Sequence, residues 1–591
     1  MADLSLQLQA DMLQPEQLAS LLVEGPWSPI LGRLQTAENI LLEGCRGVGK
    51  TMLMRTCAER LSEAARNGGR VLGVHTTFKR YLATIPPPQD SSSPELAHFK
   101  AWVNARILES LHNQVERTFG TSGKKALVTI ANVQWTNVVA ALETTYAGRG
   151  TVASALRMAG LDDPTFHALQ GYTYTSERLQ EVRRRLNLDL MVLLLDDAAH
   201  ALDTRAQGAF FTLVKSLYAP GLAFKIAVYP GVTRYGVDFS YGHDAVVVEL
   251  GQIPGLANVS ALIDIVARRA EYRETDEELP DSRSAAILIK RLLEDHRNWL
   301  ELLVYCANGN PRSLIKLLAQ LQTGLGERAP ADVRYEDVRN AVNFVTDRHL
   351  DNMIPGVIKD LDPRLVRAAE ELLERFRDKF RDQPGPLEGD KPRMYLALSN
   401  AMQIPYLCMA ARRLLVAANV LSYNGPQRLS NRENGGAFLL HPGFVFRDNV
   451  LAGGVSAERW LQHFSSMSPR VHAEVTRSAA LWLEVREAAM SEPGSRCVNG
   501  HPLMDAASMC EECGARAAVR GPAAITLEKP IDVLELSDRI KERLRAAGML
   551  TVRQVFEATE DQLDRIPYIG ETRARMIKSA VGAAVDEFLG G

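Results

Sequence analysis

Apolar residues in this chain gather into short runs divided by stretches of helical spacing. The first run, residues 39–42, leads into a glycine-rich turn. Residues 52–65 then carry apolar side chains at helical spacing until Asn67-Gly68-Gly69. Residues 70–77 read as a second buried strand, 191–195 as a third, 223–229 as a fourth and 245–250 as a fifth. Strands alternating with helices predict a parallel α/β sheet with its ligand at the carboxyl edge. A helical lead-in covers residues 1–30 and turns at Gly25-Pro26-Trp27-Ser28-Pro29. A large insertion, residues 86–188, separates the second and third strands and is mostly helical. Further on, 284–321 is strongly helical, and helices are expected at 363–381, 393–401 and 406–418. Two strand-like pieces, 420–423 and 437–440, flank a polar loop at 424–436, and residues 531–589 form a small helical domain.

The turn after the first run reads Gly44-Cys45-Arg46-Gly47-Val48-Gly49-Lys50-Thr51-Met52, the G-x-x-x-x-G-K-T pattern of a phosphate-binding loop. Its glycines let the backbone curl so that N–H groups point into the turn. Lys50 supplies a point charge for the β and γ phosphates, the Thr51 hydroxyl suits Mg2+, and the helix start adds its dipole. Gly44, Arg46, Gly47, Val48, Gly49, Lys50, Thr51 and Met52 are therefore expected to hold ATP. The third strand ends in Asp196-Asp197. An acid at that place orients Mg2+ through water, and the next one stands where a water-activating acid belongs, so Lys50, Asp196 and Asp197 are candidate catalytic residues. Asp rather than Glu at the second position departs from the commonest pattern, and it bears on hydrolysis more than on binding. Past the fourth strand, Thr233 or Arg234 is either a γ-phosphate contact or part of an ordinary loop.

Length and charge add bounds rather than chemistry. At 591 residues the chain suggests about three to five domains. A net charge of −3 neither requires nor excludes nucleic acid, because a basic surface can be local. No run of about eighteen apolar residues and no basic leader are present, so neither a membrane span nor a secretory signal is expected. Of seven cysteines, Cys497, Cys510 and Cys513 cluster near His501. Cys497-x3-His501-x8-Cys510-x2-Cys513 offers two short ligand pairs for one structural Zn2+. The odd count and the phosphate-binding loop point to a reducing, cytoplasmic setting.

Ala307-Asn308-Gly309-Asn310-Pro311-Arg312 ends one helix and starts the next, with Arg312 at the new N-terminus. This turn, in a helical lid after a five-strand core, resembles the AAA+ and STAND P-loop ATPases. The resemblance implies that Arg312 senses the γ-phosphate. Arg46–Arg55 and the segment Tyr-Pro-Gly-Val-Thr-Arg-Tyr-Gly at 229–236 look most like prokaryotic relatives of origin-recognition-complex-type AAA+ ATPases over residues 25–450. Such assemblies use an arginine finger, for which Arg268 and Arg269 are candidates. The resulting division is a core at 1–270, a lid at 271–350, a winged helix at 351–455, a helical linker at 456–490, a zinc ribbon at 491–520 and a helix-hairpin-helix at 528–591.

In the winged helix, Arg412, Arg413, Arg428 and Arg432 would meet bases and phosphates, unless the wing serves packing or protein contact. The sequence 566–574, Ile-Pro-Tyr-Ile-Gly-Glu-Thr-Arg-Ala, together with Leu534-Glu535-Leu536-Ser537, closely resembles the C-terminal domain of the RNA polymerase alpha subunit. Its hairpin N–H groups, with Arg573, Arg575 and Lys578, suit a DNA phosphate. Tyr568 replaces the usual glycine, and the same fold also docks proteins. The expectation is an ATP-hydrolysing switch, acting as a homo-oligomer on duplex DNA and away from membranes. The alternative is a STAND-type signalling or scaffold ATPase whose C-terminal modules bind a partner protein.

Overall fold

The computed structural model describes residues 10, 13–78, 94–128, 133–146, 159–197, 204–230, 233–250, 256–274, 280–326, 328–356, 363–381, 394–399, 406–430, 433–448, 456–467, 472–474, 482, 484–485, 530–534, 536, 538–570, 573–574, 577–578 and 581. Two compact units emerge. One holds Gln14–Gly44 and Gly49–Gly251; the other holds Met1–Leu13, Cys45–Val48 and Gln252–Gly591.

The first unit opens with α1 (Pro15–Leu21) and α2 (Ser28–Leu34), so the proline-rich turn runs directly into a second short helix. Five strands follow: β1 (Ile40–Glu43), β2 (Val71–Thr77), β3 (Leu190–Asp196), β4 (Leu222–Val228) and β5 (Val246–Glu249). They form one sheet in the order β2-β3-β4-β1-β5 with every neighbouring pair parallel. This is an α/β P-loop architecture. The continuous apolar runs have their reason here, since β4 is buried along its whole length and β3 at all but its first residue. Helix α3 (Lys50–Arg66) packs so closely on β2 that a Cβ on Gly73 would stand 2.8 Å from the Ala58 Cα. Lys225 lies fully buried in β4 and donates to the Thr36 carbonyl at 2.8 Å and to the Glu38 carbonyl, while burial pulls its ammonium down to about 8.

The insertion contributes α4 (Pro94–Leu127), α5 (Trp135–Tyr146), α6 (Asp163–Leu169) and α7 (Tyr174–Arg185). Helix α4 bends at Gly120, whose φ is +53°, and packs against β2, α3 and the other three insertion helices. Helix α8 (Thr204–Ser216) joins β3 to β4.

The second unit begins with five helices: α9 (Leu256–Glu274), α10 (Pro280–Glu294), α11 (Arg297–Cys306), α12 (Pro311–Leu325) and α13 (Tyr335–Gly356). After α14 (Pro363–Arg381) the structure corrects the helix expected at 393–401, because Tyr395–Ser399 is a strand, β6. A five-residue apolar piece cannot be told from a helix by periodicity, and pairing decided it. Beyond α15 (Tyr406–Ala417), strands β7 (Leu421–Ser430) and β8 (Glu433–Leu440) run through most of the expected polar loop, with register shifts at Tyr423/Pro426 and Arg428/Ser430. Such shifts absorb Asn424-Gly425-Pro426 without ending the ladder. The span expected as a helical linker also departs from that expectation. After α16 (Pro442–Arg447) and α17 (Ala457–Ser466), His472–Glu474 forms β9 and pairs parallel to β6. The sheet order is β7-β8-β6-β9.

The C-terminal domain comprises α18 (Asp538–Ala546), α19 (Val552–Glu557) and α20 (Glu560–Asp564) around a core that includes Ile531, Leu544, Val555, Leu563, Ile569 and Ile577. Thr551 and Gln554 cap α19 reciprocally.

Candidate functional site

The phosphate-binding loop leaves the buried strand β1, with the Gly44 N–H donating to the Val228 carbonyl at 3.3 Å. Gly47 and Gly49 both adopt left-handed backbone, at φ +85° and +100°, and Gly49 caps α3. Lys50 is only 7% exposed. Its ammonium lies 4.0 Å from the Tyr229 ring centroid and donates to the Gly44 carbonyl. That charge is thus held inside the turn, beside the Thr51 hydroxyl in sequence, at the N-terminus of a seventeen-residue helix.

Asp196 ends β3 opposite Thr77 of β2 and is 1% exposed. One carboxylate oxygen accepts from the Asp197 N–H at 3.0 Å, and the other lies 3.3 Å from His75 Nε2. Asp197 is left-handed, at φ +56°. A carboxylate with both oxygens anchored, hard hydroxyl and carboxylate donors, and a glycine turn at a helix start form a donor set that suits a nucleotide phosphate with Mg2+.

A further acid sits at the same sheet edge. Glu43 ends β1 in register with Glu249 of β5 and accepts a 2.7 Å hydrogen bond from the Tyr241 hydroxyl. Burial raises its carboxyl above the ordinary range, Glu249 adds to the rise, and the Tyr241 bond and Lys50 oppose it. The register of β1 with β5 brings Glu43 to Glu249 and Tyr241, which stand far from it in sequence. The Thr233 hydroxyl staples a turn, donating to the Tyr229 carbonyl at 3.0 Å and accepting from the Tyr229 N–H at 2.9 Å. The Arg234 N–H donates to Gln207 Oε1 at 2.8 Å.

The turn at 308–312 lies in the same unit as Cys45–Val48 and touches it. Asn310 Nδ2 donates to the Arg46 carbonyl at 2.7 Å, while Asn310 Oδ1 caps α12 by accepting from the Arg312 and Ser313 N–H groups. The approach is close enough that a Cβ on Gly47 would meet Asn310 Oδ1 at 2.6 Å and the Arg312 Cβ at 2.7 Å. On the other side of Gly309, Asn308 is left-handed and buried. Its amide donates to Asn419 Oδ1 at 2.9 Å and to Ser422 Oγ at 3.0 Å, at the end of α15 and the start of β7. The sequence signals the cap, but not that its two asparagines grip different partners.

The remaining expected residues divide. Arg412 packs over the Phe438 ring, 5.3 Å from its centroid, and burial lowers its pKa; Arg413 is exposed. Arg269 is buried in α9, which does not suit a finger reaching a neighbouring copy, whereas Arg268 is exposed. Arg573 Nη1 donates to the Tyr568 carbonyl at 2.7 Å, and Lys578 Nζ to the Phe556 and Ala558 carbonyls at 2.6 and 2.8 Å. Tyr568 is left-handed, at φ +69°, and 68% exposed, with the Arg543 guanidinium 4.5 Å from its ring centroid. Cys497, His501, Cys510, Cys513, Arg432 and Arg575 lie outside the described residues, as does the Arg428 side chain. Among the described residues no helix is long and apolar enough to cross a membrane.

No family model matches the chain, and no curated protein does. Among solved structures it is similar to the Walker-type ATPase PABY2304 of Pyrococcus abyssi, at 12% identity and a TM-score of 0.34, over 73% of this chain and 95% of that one. It is also similar to a structure described as Drosophila ORC bound to DNA, at 12% identity and a TM-score of 0.29, over the same shares of the two chains.

Proposed function

We propose that this protein is an AAA+-type ATPase that uses ATP with Mg2+ to switch modules engaging duplex DNA. The observation that carries this reading is the 308–312 turn. Asn310 reads the backbone of the phosphate-binding loop at Arg46, and Asn308 reads the second sheet at Asn419 and Ser422. A change at one grip is transmitted two residues along a capped turn.

In this reading Lys50 and the N–H groups of the turn bind the phosphates, Thr51 and Asp196 hold Mg2+, and Asp197 orients a water. Arg312 grips the terminal phosphate, a contact that ends when that phosphate leaves. Mg2+ held by these residues would supply charge neutralisation for the phosphates. The winged-helix and hairpin modules then engage DNA, and Zn2+ at Cys497, His501, Cys510 and Cys513 holds the intervening segment as a structural site. Assembly as a homo-oligomer belongs to the same proposal.

One observation favours a second reading, a STAND-type scaffold whose C-terminal modules bind a partner protein. Arg573 and Lys578 spend hydrogen bonds on carbonyls of their own domain, and the exposed Tyr568–Arg543 pair is a protein-docking chemistry.

ATP turnover with and without duplex DNA, beside Lys50→Ala, tests the proposal. Duplex-stimulated turnover, reduced roughly 100-fold or more in Lys50→Ala, supports the DNA-directed switch. ATP binding with turnover indifferent to duplex supports the scaffold.

A further inference from the structure

We propose that His75, on a strand that the helical insertion braces, is the positioning residue for the Asp196 carboxylate. The inference rests on the P-loop reading above and assigns a role to two elements which that reading leaves idle.

Strands β2 and β3 run parallel with His75 opposite Leu194 and Thr77 opposite Asp196. Residues two apart on a strand share a face, so the His75 and Asp196 side chains meet diagonally across the pair. His75 Nε2 lies 3.3 Å from Asp196 Oδ2, and the His75 side chain is 16% exposed beside a carboxylate that is 1% exposed. A carboxylate only accepts, so the bond requires a proton on Nε2. The Asp197 N–H holds the opposite oxygen, presented by a left-handed residue. With a donor on each oxygen, the carboxylate plane cannot swing, and its remaining lone pairs keep one direction. Outer partners of this kind fix a ligand's orientation for a metal.

Helix α4 of the insertion supports β2 from the side. Arg106, buried, donates to the Thr77 carbonyl at 2.9 Å, which is the residue opposite Asp196. His75 also faces a polar cleft of about 290 Å3 between α3 and α4, lined by Arg55, Glu59, Asn113, Gln114 and Arg117. That wall is braced internally: Arg117 donates to Gln114 Oε1 at 2.9 Å and pairs with Glu59. The imidazole therefore has one nitrogen on the acid, and a hydrogen-bonded wall from the insertion beside it.

The test titrates Mg2+ against binding of a fluorescent ATP analogue in the full chain, using His75→Asn, His75→Gln and Lys50→Ala. Gln carries its amide nitrogen near the place of Nε2, whereas Asn falls short of Asp196. The Mg2+ concentration for half-maximal binding should rise about tenfold in His75→Asn. It should stay near wild type in His75→Gln, while analogue binding in EDTA and the melting temperature without nucleotide are unchanged in both. A His75→Asn titration that overlays wild type overturns the role of His75 while leaving the P-loop reading intact. Wild-type protein that binds no analogue, or binds it as Lys50→Ala does, overturns that reading and this inference with it. A His75→Gln variant as impaired as His75→Asn also overturns the proposal, since the donor would then not be what matters.

Discussion

The phosphate-binding loop and the turn at 566–570 both hold left-handed residues and solve the same backbone problem differently. In the loop the left-handed residues are Gly47 and Gly49; in the turn at 566–570 it is Tyr568. Gly47 has no choice, because Asn310 and Arg312 occupy the space where a Cβ would go. Tyr568 instead projects into solvent under Arg543 and carries a left-handed strain of about 1 kcal/mol. The loop is closely approached by other groups, whereas the turn at 566–570 leaves its side chain exposed.

The largest break should come from Gly47→Ala. Left-handed backbone and overpacking against Asn310 and Arg312 together should cost about 2–4 kcal/mol, read by chemical denaturation, and analogue binding should fall with it. Next, Asn310→Ala removes the cap of α12 and the bond to the Arg46 carbonyl, for a loss of about 1–2 kcal/mol. If the turn is a link rather than a brace, Asn308→Ala should also weaken the nucleotide's effect on proteolysis of the second sheet.

Acid separates the second sheet from the C-terminal domain. His441 is fully buried ahead of α16, where its Nδ1 accepts from the Gly443 N–H, and burial pushes it down to about 3 from an ordinary 6.5. The unfolded chain takes up this proton first. Stability is therefore complete above pH 6.5 and is lost as pH falls toward 3, by up to about 1.4 kcal/mol per pH unit. Residues 530–581 contain no histidine, so hydrogen exchange at pH 5 and 7 should show the second sheet loosening while the C-terminal domain holds. Smallest of all, Tyr568→Gly should stabilise by less than about 1 kcal/mol in a thermal melt. A destabilised variant would show that the ring's contact with Arg543 outweighs the backbone strain.

Much of the first sheet was legible because β1, β3 and β4 are buried on both faces and announce themselves as apolar runs. The second sheet was less so: β6 reads as a helix by composition, and β7 and β8 pass through Asn424-Gly425-Pro426, residues that on their own signal a loop. At the site, Gly44–Thr51 was legible since one contiguous turn carries the whole phosphate chemistry. Glu43 with Tyr241, His75 with Asp196 and Asn310 with Arg46 were not, since each pair joins residues distant in sequence.

By itself the sequence determined the strand–turn–helix of the phosphate-binding loop, the apolar strand that delivers Asp196 and the capped turn before Arg312. These depend on local backbone preference and on side chains a few residues apart. Only the tertiary structure decided what holds Asp196 in place, which sheet takes residues 395–399 and 472–474, and why Gly47 must stay a glycine. Those outcomes depend on strand register and on close approach between distant segments, energies that no local window of residues contains.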